Sequence, residues 1–235
     1  MAGRTDTMKQ PVTPKAAPEP VAAPITEGLS REEKLAAWIQ KNGKFLAIGG
    51  GVVALVVLAT WFISASTKRK ENFARQALEQ AWGTADAGNI PQASAALQKV
   101  ATNFAGTDAA FEAVLSLNQT RLLAGQTQLA VDDLRRFIAT SPPARFTAPA
   151  NMLLGGALEN LGKATEAISA YEAALASATL DHVKAEALLG VARAARTAGD
   201  KDKAVAALRQ IVEKYKETAA FPVAEVRLGE LAASN

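Results

Sequence analysis

Leu153–Leu175 reads LLGGALENLGKATEAISAYEAAL, two helical patterns that meet at Gly162-Lys163. Leu154 marks the inner face of the first helix, and Gly155 beside it is small, as a close helix crossing requires. Gly162 ends that helix where the backbone must turn through the left-handed region. Five residues on, Ala167 lets the second helix lie close against the first. Tyr171 and Ala174 continue one buried stripe at helical spacing. The stretch predicts a helix–turn–helix pair.

Working outward, the same pair recurs, and a fixed period is the signature of a stacked array. Gly88, Gly125, Gly162 and Gly199 stand 37 residues apart. Ala93, Ala130, Ala167 and Ala204 follow each glycine by five. Leu97, Leu134, Tyr171 and Leu208 come next, then Val100, Phe137, Ala174 and Ile211. Upstream, Leu117, Leu154, Val191 and Leu228 line the first helices, beside the mostly small Ala81, Asn118, Gly155, Ala192 and Gly229. The first copy fits least well, around Trp82. Pro222–Ala233 reads as a lone capping helix, with Pro222 near its first turn.

These columns resemble the tetratricopeptide repeat, whose ordinary period is 34. Three extra residues in the connection between pairs account for the longer spacing, and Pro142 falls where that repeat carries its closing proline. The expected fold is all-α: a helical-repeat solenoid of about four pairs plus a cap, over residues 64–235. The resemblance implies a curved array whose concave side is lined by first helices. By carry-over from the repeat pattern, the groove-facing candidates for partner binding are Trp82, Leu115, Gln119, Met152, Glu159, Leu189, Arg193 and Arg196.

Upstream of the repeats lies Phe45–Ile63, FLAIGGGVVALVVLATWFI, nineteen residues without a charge. As a helix it spans about 30 Å, the thickness of a bilayer's hydrocarbon core. It begins too far into the chain, and is too long, for a cleaved signal peptide, so it reads as an uncleaved transmembrane anchor. Gly49, Gly50, Gly51 and Ala54 space small residues so that a neighbouring transmembrane helix can pack closely. Residues 29–44 read as an amphipathic juxtamembrane helix. Ser30 and Glu33 have capping-box spacing, and Leu35, Trp38 and Ile39 share a face suited to the membrane interface or to a plain spacer. Asn42-Gly43 is expected to break this helix before the span. Residues 1–28 hold a Pro/Ala-rich run expected to be a disordered tail.

Residues 1–70 hold 10 Lys/Arg against 5 Asp/Glu, while 71–235 hold 16 against 18. The basic excess therefore flanks the span, where anionic membrane lipid is a fitting partner, and the near-neutral repeats argue against nucleic acid. Four basic residues precede the span closely and four follow it, so charge leaves the topology open. No cysteine is present and His182 is the single histidine, which leaves no expected metal site, cofactor site, catalytic set or small-molecule substrate. Asp181-His182 reads as a helix start. Asp132-Asp133 before Arg135-Arg136 reads as a solvated face with near-neighbour ion pairs.

Asn42-Gly43-Lys44 directly before a single span, followed by helical repeats, resembles the bacterial YfgM-type membrane proteins over residues 30–235. That resemblance implies a cytoplasmic N-terminus, a periplasmic repeat domain at the inner membrane, and association with the protein-export translocon and periplasmic chaperones. Two readings stay open. The first is a membrane-anchored scaffold that binds proteins through its repeats. The second is an accessory subunit of a larger membrane complex, held by its span and its repeats.

Overall fold

Gly88, Gly125, Gly162 and Gly199 all adopt left-handed backbone, with φ between +72° and +80°. An L side chain held there costs about 1–2 kcal/mol, which is why glycine recurs at this point. Each glycine separates two helices of the computed structural model, which describes residues 30–233. The Pro/Ala-rich tail expected over residues 1–28 lies outside the described residues.

Among the described residues every regular element is an α-helix. They are α1 (Arg31–Asp86), α2 (Ile90–Asn103), α3 (Asp108–Leu123), α4 (Thr127–Ala139), α5 (Ala144–Asn160), α6 (Ala164–Ser177), α7 (Asp181–Ala198), α8 (Lys201–Lys214) and α9 (Ala220–Ala233). The chain divides into two units, one up to Ala59 and one from Thr60 onward.

In the first unit the expected capping box forms. Ser30 N–H donates to Glu33 Oε2 at 2.8 Å, and Glu33 N–H donates to Ser30 Oγ at 3.2 Å. Leu35, Trp38 and Ile39 are exposed, as are the large apolar residues of the span. One expectation is corrected here: α1 runs through Asn42-Gly43 without a break. Asn42 Nδ2 donates to the Trp38 carbonyl at 2.9 Å, so its amide turns back along the helix instead of capping an end. A mid-helix glycine costs only about 1 kcal/mol, which a long helix absorbs.

In the second unit the last turns of α1 form the first helix of the first pair. Ala74, Leu78 and Ala81 are fully buried there, in one cluster with Leu97 and Val100 of α2 and Leu117 of α3. The weak first copy is thus a complete pair. The remaining helices share a second core cluster that runs from α4 to α9. Ala93, Ala130, Ala167 and Ala204 are each 0% exposed, so every pair closes on a methyl group at its crossing. Leu97, Leu134 and Leu208 sit beside them, each side chain stabilising its pair by about 2 kcal/mol through burial. Second helices begin at polar caps where these occur: Asn89 Oδ1 accepts from Gln92 N–H, and Asp200 Oδ1 accepts from Lys203 N–H. The capping helix starts at Ala220, two residues earlier than expected, and Pro222 falls in its first turn where its missing N–H costs nothing.

Candidate protein-binding groove

The candidate contacts lie on the end of α1 and on α3, α5 and α7, where backbone and packing treat them unequally. Leu189 is buried, at 7% exposure, as part of the core and not of an open surface. Leu115 and Met152 are half-buried against the core. Trp82 is partly exposed, and its indole N–H donates to Ser116 Oγ of α3 at 3.1 Å. Gln119 and Arg196 point outward and are exposed.

Glu159 and Arg193 are brought together, with a partner that sequence reasoning placed only in the core. Arg193 Nη2 donates to Glu159 Oε2 at 2.7 Å, and Arg193 Nε donates to Oε1 at 2.9 Å. The Tyr171 hydroxyl donates to Glu159 Oε2 at 2.6 Å and accepts from Arg193 Nη2 at 2.8 Å. Tyr171 reaches this surface because its ring passes between Gly155 of α5 and Gly190 of α7. A Cβ on either glycine would stand 2.6 Å from a ring carbon. Burial, and then the hydrogen bond to Glu159, pushes the Tyr171 phenol well above its ordinary value. The Glu159 hydrogen bond, set against burial, raises the Arg193 guanidinium too. The three side chains form a brace across α5, α6 and α7.

A second brace corrects the expected solvated face on α4. Asp133 does pair with its neighbour Arg136 at 2.8 Å, but it also accepts from Arg121 of α3 at 2.6 Å and from Asn118 at 3.1 Å. Burial opposes ionisation of Asp133, yet the hydrogen bonds from Arg136, Asn118 and Arg121 outweigh it and hold the carboxyl below its ordinary value. Arg135 pairs with Glu166 of α6 and not within its own helix. Near-neighbour spacing alone shows only the within-helix part of this network.

Beyond the Tyr171 brace opens a cleft of about 350 Å³. Ala192, Leu208 and Leu231 give it an apolar lining, while Arg193, Arg196, Arg227 and Glu230 form its polar rim. Arg196 and Arg227 also border an adjoining cleft with Pro222, Val223 and Val226. Arg227 lines both clefts, and the column reading passed it over. Ser116, Leu153, Gly190 and Arg227 are themselves 37 residues apart, one position before the Leu117 column. The period that located the core therefore contained this column as well. No cluster of three or more His, Cys, Asp or Glu placed to hold a metal ion occurs among the described residues.

A model of the tetratricopeptide repeat matches residues 146–217, which cover α5 to α8. The crystal structure of MamA protein superposes with a TM-score of 0.55 at 22% identity, covering 67% of this chain and 80% of that one. A putative kinesin light chain from Podosopora anserina, with nearly identical TPR-like repeats, superposes with a TM-score of 0.56 at 21% identity, covering 68% and 86%. A tetratricopeptide repeat protein from Parabacteroides merdae gives 0.56 at 14% identity, covering 68% of this chain and 60% of that one. At such identities the likeness is one of fold: a helical-repeat solenoid of tetratricopeptide type. No curated protein matches the sequence.

Proposed function

We propose that this chain is a membrane-anchored scaffold that binds partner proteins through the first helices of its repeats. The observation that carries the reading is the braced wall of Tyr171, Glu159 and Arg193 beside a cleft with an apolar floor and an arginine rim. A rigid wall lowers the ordering cost of capturing a partner segment, and half-apolar lining supplies contact area. Anchoring is supported by α1, which is long and apolar enough to cross a membrane and has no buried part in its most apolar window. In this reading residues 29–44 are a juxtamembrane segment, 45–63 the span and 64–235 the binding domain. The N-terminus is cytoplasmic on this reading, the repeats are periplasmic, and translocon or chaperone proteins are among the partners, which the sequence resemblance to YfgM-type proteins supports. No step of this reading asks for catalysis.

Arg196 offers the cleaner test. Arg193 is tied into the brace, so its reversal disturbs the wall itself, whereas Arg196 is exposed on the rim. The full chain carrying Arg196→Glu is purified from native membranes in mild detergent, beside the unaltered chain. Loss of a discrete co-purifying protein, with unchanged thermal stability, is the expected result. Undiminished recovery of that protein would count against this face.

The accessory-subunit reading rests on a different observation. Nothing lies within 4 Å of a Cβ built on Gly49, Gly50 or Gly51, so that side of the span is open to another helix. Replacing Gly50 and Ala54 with leucine releases a subunit held through the bilayer, and leaves a repeat-held scaffold bound.

A further inference from the structure

The turn between α2 and α3 is fastened to α1 by consecutive side chains. Lys70 Nζ donates to the Ala105 carbonyl at 2.8 Å. Glu71 accepts from Asp108 N–H at 2.8 Å and from Ala109 N–H at 3.1 Å, so it occupies the first free amides of α3. Arg75 reaches Glu112 one turn further along α3, at 3.5 Å. The turn is thereby held at the level of residues 70–71 of α1.

That level follows from helix geometry within the second unit. Ile63 is the last residue of the apolar run, and Lys70 stands seven residues on, or about 10 Å along the axis. Lys68 is the first charged residue after the run. A head-group layer is about 5–8 Å deep on each side of the hydrocarbon core. Lys68, about 7.5 Å out, falls at the outer edge of that layer, and the turn clasped at residues 70–71 stands about 10–12 Å out, just above it. Trp61, 68% exposed, sits where interfacial tryptophans gather.

The charges there suit one occupant. Lys68 and Arg69 are exposed, and no carboxylate pairs with either among the described residues. Lys70 spends its ammonium on a carbonyl, so its charge is not neutralised. Ala105 and Gly106 at the tip of the turn are exposed and uncharged, and the nearby Asp108 carboxylate is paired with Arg145. Each basic residue near an anionic membrane surface contributes about 1 kcal/mol of attraction. We infer that Lys68, Arg69 and the Ala105-Gly106 turn form a docking surface for anionic phospholipid head groups. The first repeat pair rests on the bilayer there instead of swinging from a tether. The inference deepens the anchored-scaffold reading and rests on it.

The absence of cysteine makes the test direct. Single-cysteine chains, Ala105→Cys and Leu55→Cys, are labelled with an environment-sensitive fluorophore and reconstituted at full length. The vesicles are phosphatidylcholine with or without phosphatidylglycerol. Quenching is read from lipid carrying a spin label either at the head group or in mid-chain. Leu55→Cys quenched from mid-chain establishes the span. With the span established, the inference expects head-group quenching of Ala105→Cys to rise about twofold with anionic lipid. It also expects that rise to vanish in the Lys68→Glu/Arg69→Glu background. A quenched Leu55 site with an unquenched Ala105 site overturns the docking surface and leaves the anchor standing. Equal quenching of the Ala105 site in neutral vesicles overturns the choice of anionic lipid. An unquenched Leu55 site removes the anchor and this inference together.

Discussion

A Cβ on Gly155 would stand 2.6 Å from Cε1 of Tyr171, so ring and glycine occupy one site between them. Gly190 meets the ring from α7 in the same way. These two glycines are required by volume, whereas Gly162 is required by its left-handed backbone. Gly155→Ala and Gly190→Ala are each expected to destabilise the repeats by about 1–3 kcal/mol, through forced displacement of the ring. Gly156→Ala is the control, because its Cβ would meet only the Tyr171 hydroxyl at 3.7 Å. It should be neutral or gain up to about 1 kcal/mol from better helix propensity. Thermal unfolding followed by circular dichroism separates the three. Equal losses at all of them would contradict a volume requirement.

Tyr171→Phe keeps the ring and removes the hydroxyl that joins Glu159 to Arg193. The expected cost is about 1–2 kcal/mol. Because the folded phenol titrates above its unfolded value, this stability is complete below about pH 10 and declines as pH rises past it. Denaturant unfolding of both proteins across that range should show their difference shrinking on the alkaline side. A constant gap would mean that the hydroxyl is not held in its protonated form.

Asp133 gives the opposite sign. Its folded carboxyl titrates below the unfolded value, so the stability it contributes is present above about pH 4 and lost as pH falls through the folded value. Asp133→Asn is expected to cost about 2 kcal/mol near neutrality by weakening the Arg121 and Arg136 contacts. The two proteins should converge in stability below pH 4. Persistence of the full difference in acid would show that the amide disrupts packing instead.

Glu71→Ala frees the amides of Asp108 and Ala109 at the start of α3. Thr107 still caps Ala110 N–H at 3.1 Å, so the loss should be that of one helix cap, about 1 kcal/mol. Amide exchange should quicken over the α2–α3 turn and leave α5 to α8 unchanged. Faster exchange throughout the repeats would mean that the clasp supports the whole solenoid.

Much of the fold was legible because stacked pairs repeat one physical problem at one interval. The glycine turns, the alanine crossings and the leucine columns each recur for a local steric reason, and the structure shows them in those roles. The unbroken α1 was not legible. An Asn-Gly pair carries no sign of whether the asparagine will cap an end or, as Asn42 does, bond back to its own helix. The groove was legible only by register. Periodicity identifies Arg193 and Glu159 as first-helix residues, but that Tyr171 threads between Gly155 and Gly190 to join them depends on three helices at once. Arg121 with Asp133 is of the same kind, since a separation of twelve positions conceals a contact of 2.6 Å.

The central claim is that partners are held on the first-helix face, and site-specific crosslinking tests it most directly. A photo-crosslinking residue is placed at Arg196 on the cleft rim, and separately at Arg209, exposed on the second helix α8. The full chain is then irradiated in native membranes. A discrete protein adduct from position 196, absent from position 209, is the predicted result. The same adduct from both positions, or none from 196 while 209 yields one, would contradict the account.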